Sequence, residues 1–446
     1  MTHNPGVDAP TRLLSTLRYV GPGLILTAGI VGTGELVLTP RVAAEHGFSL
    51  LWLIVLGCMV KVFVQIELGR QAVATSATTL QALDSLPGPR ARVSWIMWIW
   101  LPVFIAMISV IGGILGGTAE VLRMAGVNLP MPVMVIALGA ICSVLLGLGR
   151  YALIELACTA MVAVFIVATG IALVLLQGTE FRITGSNLAE GFSFRMPDNF
   201  ASVFATFGLI GVGAAELIYY PYWCLEKGYA QRVGPRGGSS EAWLARARGW
   251  LRVMRVDAWC SMAVYTSTTA GFFLLGAAVL HAKGLKVSNA DMIPTLAQMY
   301  VETFGPFGHW VFIVGAVATL YSTAFAGTAS NARLLADALG LFGLAKHNDA
   351  PAYQARVRWC AIGLPAYAAV VYLIWPQPVT LIMISGIGQA ILLPFLGGAA
   401  VYFYFRRLEP GLRSGKIWAT LLWISAASLV SAGLWQLYEQ VSRLLG

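Results

Sequence analysis

Charge is scarce in this chain. Only 11% of its 446 residues are Asp, Glu, Lys or Arg, where a soluble globular domain carries about 25%. With 58% hydrophobic residues and a mean hydropathy of +0.75, that shortage excludes an ordinary soluble protein and indicates a polytopic membrane protein. Nucleotide-binding chemistry is missing as well: no G-x-x-x-x-G-K-[ST] loop appears, which argues against a self-contained ATP-driven pump. No H-E-x-x-H pair or nucleophile–base arrangement is visible, and His3, His46, His281, His309 and His347 all fall in loops or near the ends of apolar runs. An enzyme is therefore not expected, and neither is a cofactor. The six cysteines (Cys58, Cys142, Cys158, Cys224, Cys260 and Cys360) form no C-x-x-C pair, so neither a disulfide framework nor a structural zinc site is indicated. Residues 1–17 contain no apolar core of the kind a cleaved signal peptide needs.

What the chain does have is a series of apolar runs. About eleven are near the ~20 residues that a bilayer requires: 18–39, 47–70, 93–117, 129–148, 152–177, 201–225, 258–282, 305–330, 358–375, 379–405 and 417–440. The net charge of +9 lies mostly in short loops on alternate sides, at Arg90, Arg92, Lys227, Arg232, Arg246, Arg248, Arg252, Arg255, Arg333, Arg356, Arg406 and Arg407. This is the positive-inside pattern. It argues for lipid rather than nucleic acid as the partner, for a multi-pass protein of the cell membrane, and for a cytoplasmic N-terminus. The loops near 178–200 and 283–304 then lie outside. Within the long internal loop, Glu241 to Met254 reads as an amphipathic helix lying at the headgroups.

One motif occurs twice. Ile30-Val31-Gly32-Thr33-Gly34-Glu35-Leu36 and Gly211-Val212-Gly213-Ala214-Ala215-Glu216-Leu217 share Val, Gly, Glu and Leu at matching places. Each interrupts an apolar run with glycine and a carboxylate. Glycine lowers the cost of unwinding a helix, which frees backbone groups for a ligand, and paired interruptions of this kind mark the midplane site of secondary transporters. The second lies five spans after the first, an odd offset, so the second repeat is inverted. The expected architecture is an all-α membrane protein with a five-plus-five inverted repeat and broken first and sixth helices. Its divisions are a tail at 1–17, a first repeat at 18–200, a second at 201–405 and an additional helix at 406–446.

Intramembrane charge costs about 2.5–3.5 kcal/mol or more and by default marks function. Glu35 and Glu216 are thus the leading candidates, with Gly32, Thr33, Gly213, Ala215 and Gln389 as companions in substrate binding. Two carboxylates plus freed carbonyls make an oxygen environment that suits a hard cation such as Mg²⁺ or Ca²⁺, which makes Glu35 and Glu216 candidate metal ligands. Lys61 sits deep in the second run, where it could neutralise one glutamate, stand in for a coupling ion, or meet an anionic substrate. Glu67 and Arg70 are spaced as an i,i+3 ion pair with a gating or structural role. Tyr219, Tyr220 and Tyr222 form an aromatic belt or line a vestibule. Ser322, Thr323, Thr328 and Ser330 place hydroxyls in the eighth run.

Gly21-Pro22-Gly23, His46-Gly47-Phe48-Ser49-Leu50-Leu51-Trp52, Gln65, Arg70 and Leu392-Leu393-Pro394-Phe395 together resemble the Nramp family of proton-coupled divalent-metal transporters over nearly the whole chain. The resemblance implies a LeuT-like fold. It also implies an altered metal site. Where the family carries D-P-G-N this chain has Gly32-Thr33-Gly34-Glu35, and where it carries M-P-H this chain has Ala215-Glu216-Leu217. The third-span acidic residues that the family uses for protons have no counterpart in 103–117. The expectation is a secondary transporter for a hard divalent ion rather than manganese or iron, with a proton or sodium ion as candidate coupling partner. A small organic cation, a small anion using Lys61, and a non-transporting sensor are the alternatives.

Overall fold

A computed structural model of the chain describes residues 6–148, 151–195, 207, 210–235, 240–287, 291–345 and 350–445. Apart from a two-residue antiparallel bridge between Arg90–Ala91 and Val93–Ser94, regular structure in these residues is helical. In chain order the helices are α1 (Leu13–Leu17), α2 (Pro22–Ile30), α3 (Thr39–His46), α4 (Leu51–Thr75), α5 (Thr79–Asp84), α6 (Trp95–Met124), α7 (Met131–Gly147), α8 (Tyr151–Leu176) and α9 (Gly185–Gly191). They continue with α10 (Ala214–Glu226), α11 (Tyr229–Val233), α12 (Ser240–Leu275), α13 (Met292–Phe304), α14 (Gly308–Leu341), α15 (Ala350–Ile374), α16 (Pro378–Tyr402) and α17 (Lys416–Leu445).

Eight stretches of the described residues are long and apolar enough to cross a membrane, and α7 and part of α8 are shorter apolar helices. The expected span at 201–225 falls partly outside the described residues. Burial separates the helices into two sets. Large apolar side chains of α7, α8, α15 and α17, such as Val144, Leu156, Val174, Trp359, Ile374 and Ile417, point outward. An aqueous protein would not leave such a surface, whereas lipid solvates it. Helices α2, α4, α12, α14 and α16 carry many of the buried polar residues, among them Thr27, Lys61, Glu67, Asp257, Thr323, Asp337 and Ser385. Prolines inside α6, α10, α15 and α16 (Pro102, Pro221, Pro365 and Pro394) are tolerated because neighbouring helices re-satisfy the freed backbone groups.

Three local expectations change. The loop at 283–304 contains a helix, α13, whose Tyr300 is fully buried and shares a hydrogen bond with Thr169 of α8 at 2.9 Å. The amphipathic stretch 241–254 is the first part of α12 rather than a separate surface helix. Its Trp243, Trp250 and Met254 are buried in protein instead of resting in headgroups: Trp243 donates to the Gly234 carbonyl, Met254 packs against Gly69 of α4, and residues 6–12 lie against the helix at Trp250 and Arg252. Trp250 Nε1 donates to the Val7 carbonyl at 2.7 Å, and Arg252 donates to that of Pro10 at 2.6 Å. Finally, the first interrupted segment is not unwound. Val31–Leu38 forms a π-helix between α2 and α3, so its backbone stays bonded in a wider coil. The second segment does open: residues 210–213 are non-helical before α10 begins at Ala214.

Candidate functional site

The first segment is shaped by a close approach. A Cβ on Gly32 would lie 1.8 Å from Thr323 Oγ1 of α14, so only glycine fits there. Thr323 Oγ1 in turn donates to the Ala28 carbonyl at 2.7 Å. Three residues on, Glu35 is fully buried. Its Oε2 accepts from Thr39 Oγ1 at 2.8 Å, and its Oε1 accepts from the backbone N–H of Gly211 at 3.0 Å. The glutamate of one segment therefore clasps the backbone of the other.

The same peptide unit is held from its opposite end. Lys61 Nζ, also fully buried, donates to the Ile210 carbonyl at 2.6 Å and lies 5.1 Å from the Phe207 ring centroid. The peptide joining residues 210 and 211 thus has an ammonium at its oxygen and a carboxylate at its N–H, each at the end of the dipole that favours it. Gly211 adopts φ +65°, and a Cβ there would sit 2.9 Å from Cys58 Sγ. Both facts require glycine.

Glu216 has different surroundings. It is half-buried in the first turn of α10, and Tyr219 Oη donates to its Oε1 at 2.6 Å. Gln389 of α16 reaches the same place: its Oε1 accepts from the Ala215 N–H at 3.3 Å. A Cβ on Gly213 would be 2.0 Å from that oxygen and 2.6 Å from Glu216 Oε2. A cavity of about 30 Å³ lies here, lined by Glu216, Gln389, Ser385, Gly213 and Gly211, with Gly29 and Ile30 from the end of α2 and the aliphatic Leu38, Val110 and Ile382. The Ser385 hydroxyl is buried without a protein partner. Of the residues singled out in the sequence, Glu216, Gly213 and Gln389 line the cavity, and Ala215 touches Gln389 through its backbone. Gly32 and Glu35 instead pack against α14 and the second segment. The Thr33 side chain falls outside those described. Among the described residues no group of three or more His, Cys, Asp or Glu side chains converges as a metal-binding cluster.

The remaining candidates hold helices together. Glu67 and Arg70 pair at 3.3 Å, both 2% exposed. Trp418 Nε1 donates to Glu67, and Arg70 donates to the Leu412 carbonyl and to Ser414 Oγ. The pair therefore anchors the start of α17 to α4. Tyr222 and Thr78 both donate from their hydroxyls to Asp337 Oδ2 of α14 at 2.5 Å. Beside them Arg333 pairs with Glu226 at 2.5 Å and covers the Trp223 ring. In α14, Ser322 and Ser330 bond back to their own helix, as hydroxyls in apolar helices usually do.

Sequence reasoning missed two carboxylates. Asp257 accepts from the N–H groups of Gly21 and Gly23 at 2.8 Å each and from Tyr220 Oη at 2.9 Å. It thereby caps the start of α2 from a helix more than 230 positions away. Asp337 lies in the last two turns of α14, beyond the end expected for the eighth run. No local pattern marks either role, since every partner is distant in sequence, the tyrosines of α10 included.

Comparison with known proteins matches this arrangement to one family. The family model described as "Natural resistance-associated macrophage protein-like" (Nramp) matches residues 23–439. A divalent metal cation transporter MntH of Deinococcus radiodurans is 24% identical over 437 residues, covering 97% of this chain and 92% of that protein. Among solved structures, a manganese transporter mutant of Eremococcus coleocola superposes with a TM-score of 0.74 at 16% identity, covering 99% of this chain and 90% of that one. A nucleobase-cation-symport-1 family transporter bound to bromovinylhydantoin gives 0.58 at 16% identity, over 97% and 94% of the two chains. The fold is thus shared with transporters of unlike cargo, and the family model spans nearly the entire sequence: this chain belongs to the Nramp family.

Proposed function

We propose that the chain is a secondary transporter that carries a small, hard cation through the space between its two interrupted segments, with Glu216 as the charged ligand. One observation carries this reading: the cavity at the break, about 30 Å³, brings the side-chain oxygens of Glu216, Gln389 and Ser385 together beside the apolar Ile30, Leu38, Val110 and Ile382. That is room enough for an ion with retained water. The Glu216 carboxylate, the Gln389 amide oxygen, the Ser385 hydroxyl and nearby carbonyls are hard ligands, and one carboxylate with neutral oxygens and retained water is a usual Mg²⁺ environment. Among the described residues neither thioether nor imidazole lines the cavity, so softer ions lose the ligands that favour them. The D. radiodurans relative, named for divalent metal cations, and the E. coleocola manganese transporter support a divalent cargo. In this reading the two five-helix repeats, 18–200 and 201–405, form the cavity's opposite walls, and the cell membrane is the site of transport.

The test is flux of Mg²⁺, Ca²⁺ and Mn²⁺ into proteoliposomes, with calorimetry on the purified protein. Mg²⁺ should move, and Mn²⁺ should bind weakly. Glu216→Gln should weaken binding about 10–150-fold, the range that follows from losing a charged partner worth about 1.5–3 kcal/mol. Its melting temperature should hold, because Tyr219 can still donate to the amide oxygen. Micromolar Mn²⁺ binding indifferent to Glu216→Gln would overturn the reading.

A further inference from the structure

Lys61 takes no part in lining the cavity, yet it is fully buried beside the opened second segment. A lysine in that position is costly unless its charge is compensated. Compensation is visible in three forms. The Ile210 carbonyl accepts from its ammonium, the Phe207 ring offers its face at 5.1 Å, and the carboxylate of Glu35 sits on the far side of the same peptide, accepting from the Gly211 N–H. A free carbonyl of an opened helix, an aromatic face and a carboxylate one peptide away form a cation-binding environment.

We propose that the Lys61 ammonium is a tethered cation. It permanently fills a second cation position, made by the Ile210 carbonyl, Phe207 and the Glu35 charge, next to the transport cavity. Two consequences follow. The Glu35 charge is neutralised from within, which leaves Glu216 as the carboxylate available to cargo. The position also needs no free monovalent co-ion, so transport should not depend on Na⁺ or K⁺. The part concerning the co-ion rests on the transport reading above, whereas the occupancy of the position does not.

Chemical rescue tests the occupancy on the full-length protein in detergent. Lys61→Ala removes the ammonium and opens space along its former path. Its melting temperature should fall in choline chloride and rise by more than about 3 °C when methylammonium or butylammonium replaces choline at equal ionic strength, because a ligand of the native state raises the melting point. Lys61→Met, which fills the space without charge, should be destabilised and should not respond to amines. The parent should respond to neither amines nor Na⁺. Because Glu35 and Lys61 compensate one another, the double variant Glu35→Gln/Lys61→Met should melt higher than the worse single variant.

Lys61→Met melting with the parent would overturn the proposal, since the position would then need only bulk. A Lys61→Ala protein deaf to every small cation would also overturn it. So would a double variant no better than the worse single one, and that comparison remains available if Lys61→Ala does not fold. Proteoliposomes address the co-ion: parental flux should be equal in sodium and choline media, and a strict sodium requirement would sink the proposal. A parent that moves no cation would instead count against the transport reading, with the melting results still standing.

Discussion

Putting an aspartate back at Gly32, the place where the Nramp resemblance locates a metal-binding carboxylate, should damage this protein before it restores any site. A Cβ at that position would fall 1.8 Å from Thr323 Oγ1, 2.4 Å from Thr323 Cβ and 2.9 Å from the Thr319 carbonyl. No side chain survives such contacts, so α14 must shift or Thr323 must rotate. Overpacking of this kind costs about 1–3 kcal/mol. Rotating Thr323 breaks its bond to the Ala28 carbonyl and leaves a buried acceptor unpaired, for about another 1–3 kcal/mol. The combined penalty is roughly 2–6 kcal/mol. Gly32→Ala isolates the steric part and should already lower the melting temperature by several degrees. Thr323→Gly removes the two nearest obstructing atoms, but also the donor to the Ala28 carbonyl, and adds a helix cost of about 1 kcal/mol; Gly32→Ala should therefore cost less in the Thr323→Gly background than in the parent. The assay is thermal unfolding in metal-free detergent buffer, with Mn²⁺ calorimetry on Gly32→Asp/Thr323→Gly. Gly32→Ala melting within a degree of the parent would refute the reasoning, because the glycine would then be a vacated ligand position and not a packing requirement.

Other consequences can be measured alongside. Asp257→Asn replaces a carboxylate that accepts three hydrogen bonds with an amide that has a single acceptor atom. It should cost about 1–3 kcal/mol for each donor left unpaired, and a melting temperature unchanged from the parent would contradict the capping role. Gly211→Ala forces a side chain to φ +65° and against Cys58 Sγ. It should lose about 1–2 kcal/mol through the backbone alone, so Cys58→Ala should rescue it only partly, as read by denaturation of the two variants and their combination. For orientation, a cysteine at the exposed Arg248 should label from the cytoplasmic side and one at the exposed Lys286 from outside. The reverse labelling would undo the positive-inside assignment.

The architecture was legible because membrane helices are written in composition. Long apolar runs, glycine-rich interruptions and the distribution of arginine are local signals, and each span read from the sequence contains a helix among the described residues, with 210–213 opened ahead of α10. The site was legible one residue at a time. Glu216, Gln389 and Lys61 are conspicuous because polar groups are expensive in apolar runs, but what each one faces depends on tertiary contacts. The two glutamates look equivalent in the repeated motif, yet Glu35 sits in a π-helix and holds a backbone N–H, while Glu216 starts a fresh helix and lines a cavity. That asymmetry comes from Thr323 filling the space beside Gly32 and from Lys61 approaching Ile210. Neither neighbour is close in sequence to the motif it reshapes. Asp257 and Asp337 escaped notice for the same reason.

The cap on α2 bears on how the protein is made. The N–H groups of Gly21 and Gly23 find their acceptor 236 and 234 positions later, at Asp257, and Val7 finds its partners at Arg232 and Trp250. At ribosomal speeds of about 5–20 residues per second, the first membrane helix waits roughly 10–50 s for the residue that completes its start. During that interval the nascent first half cannot close as an independent unit. Until the ribosome has delivered the part of α12 that holds Asp257, the N–H groups of Gly21 and Gly23 lack the acceptor they have in the finished fold.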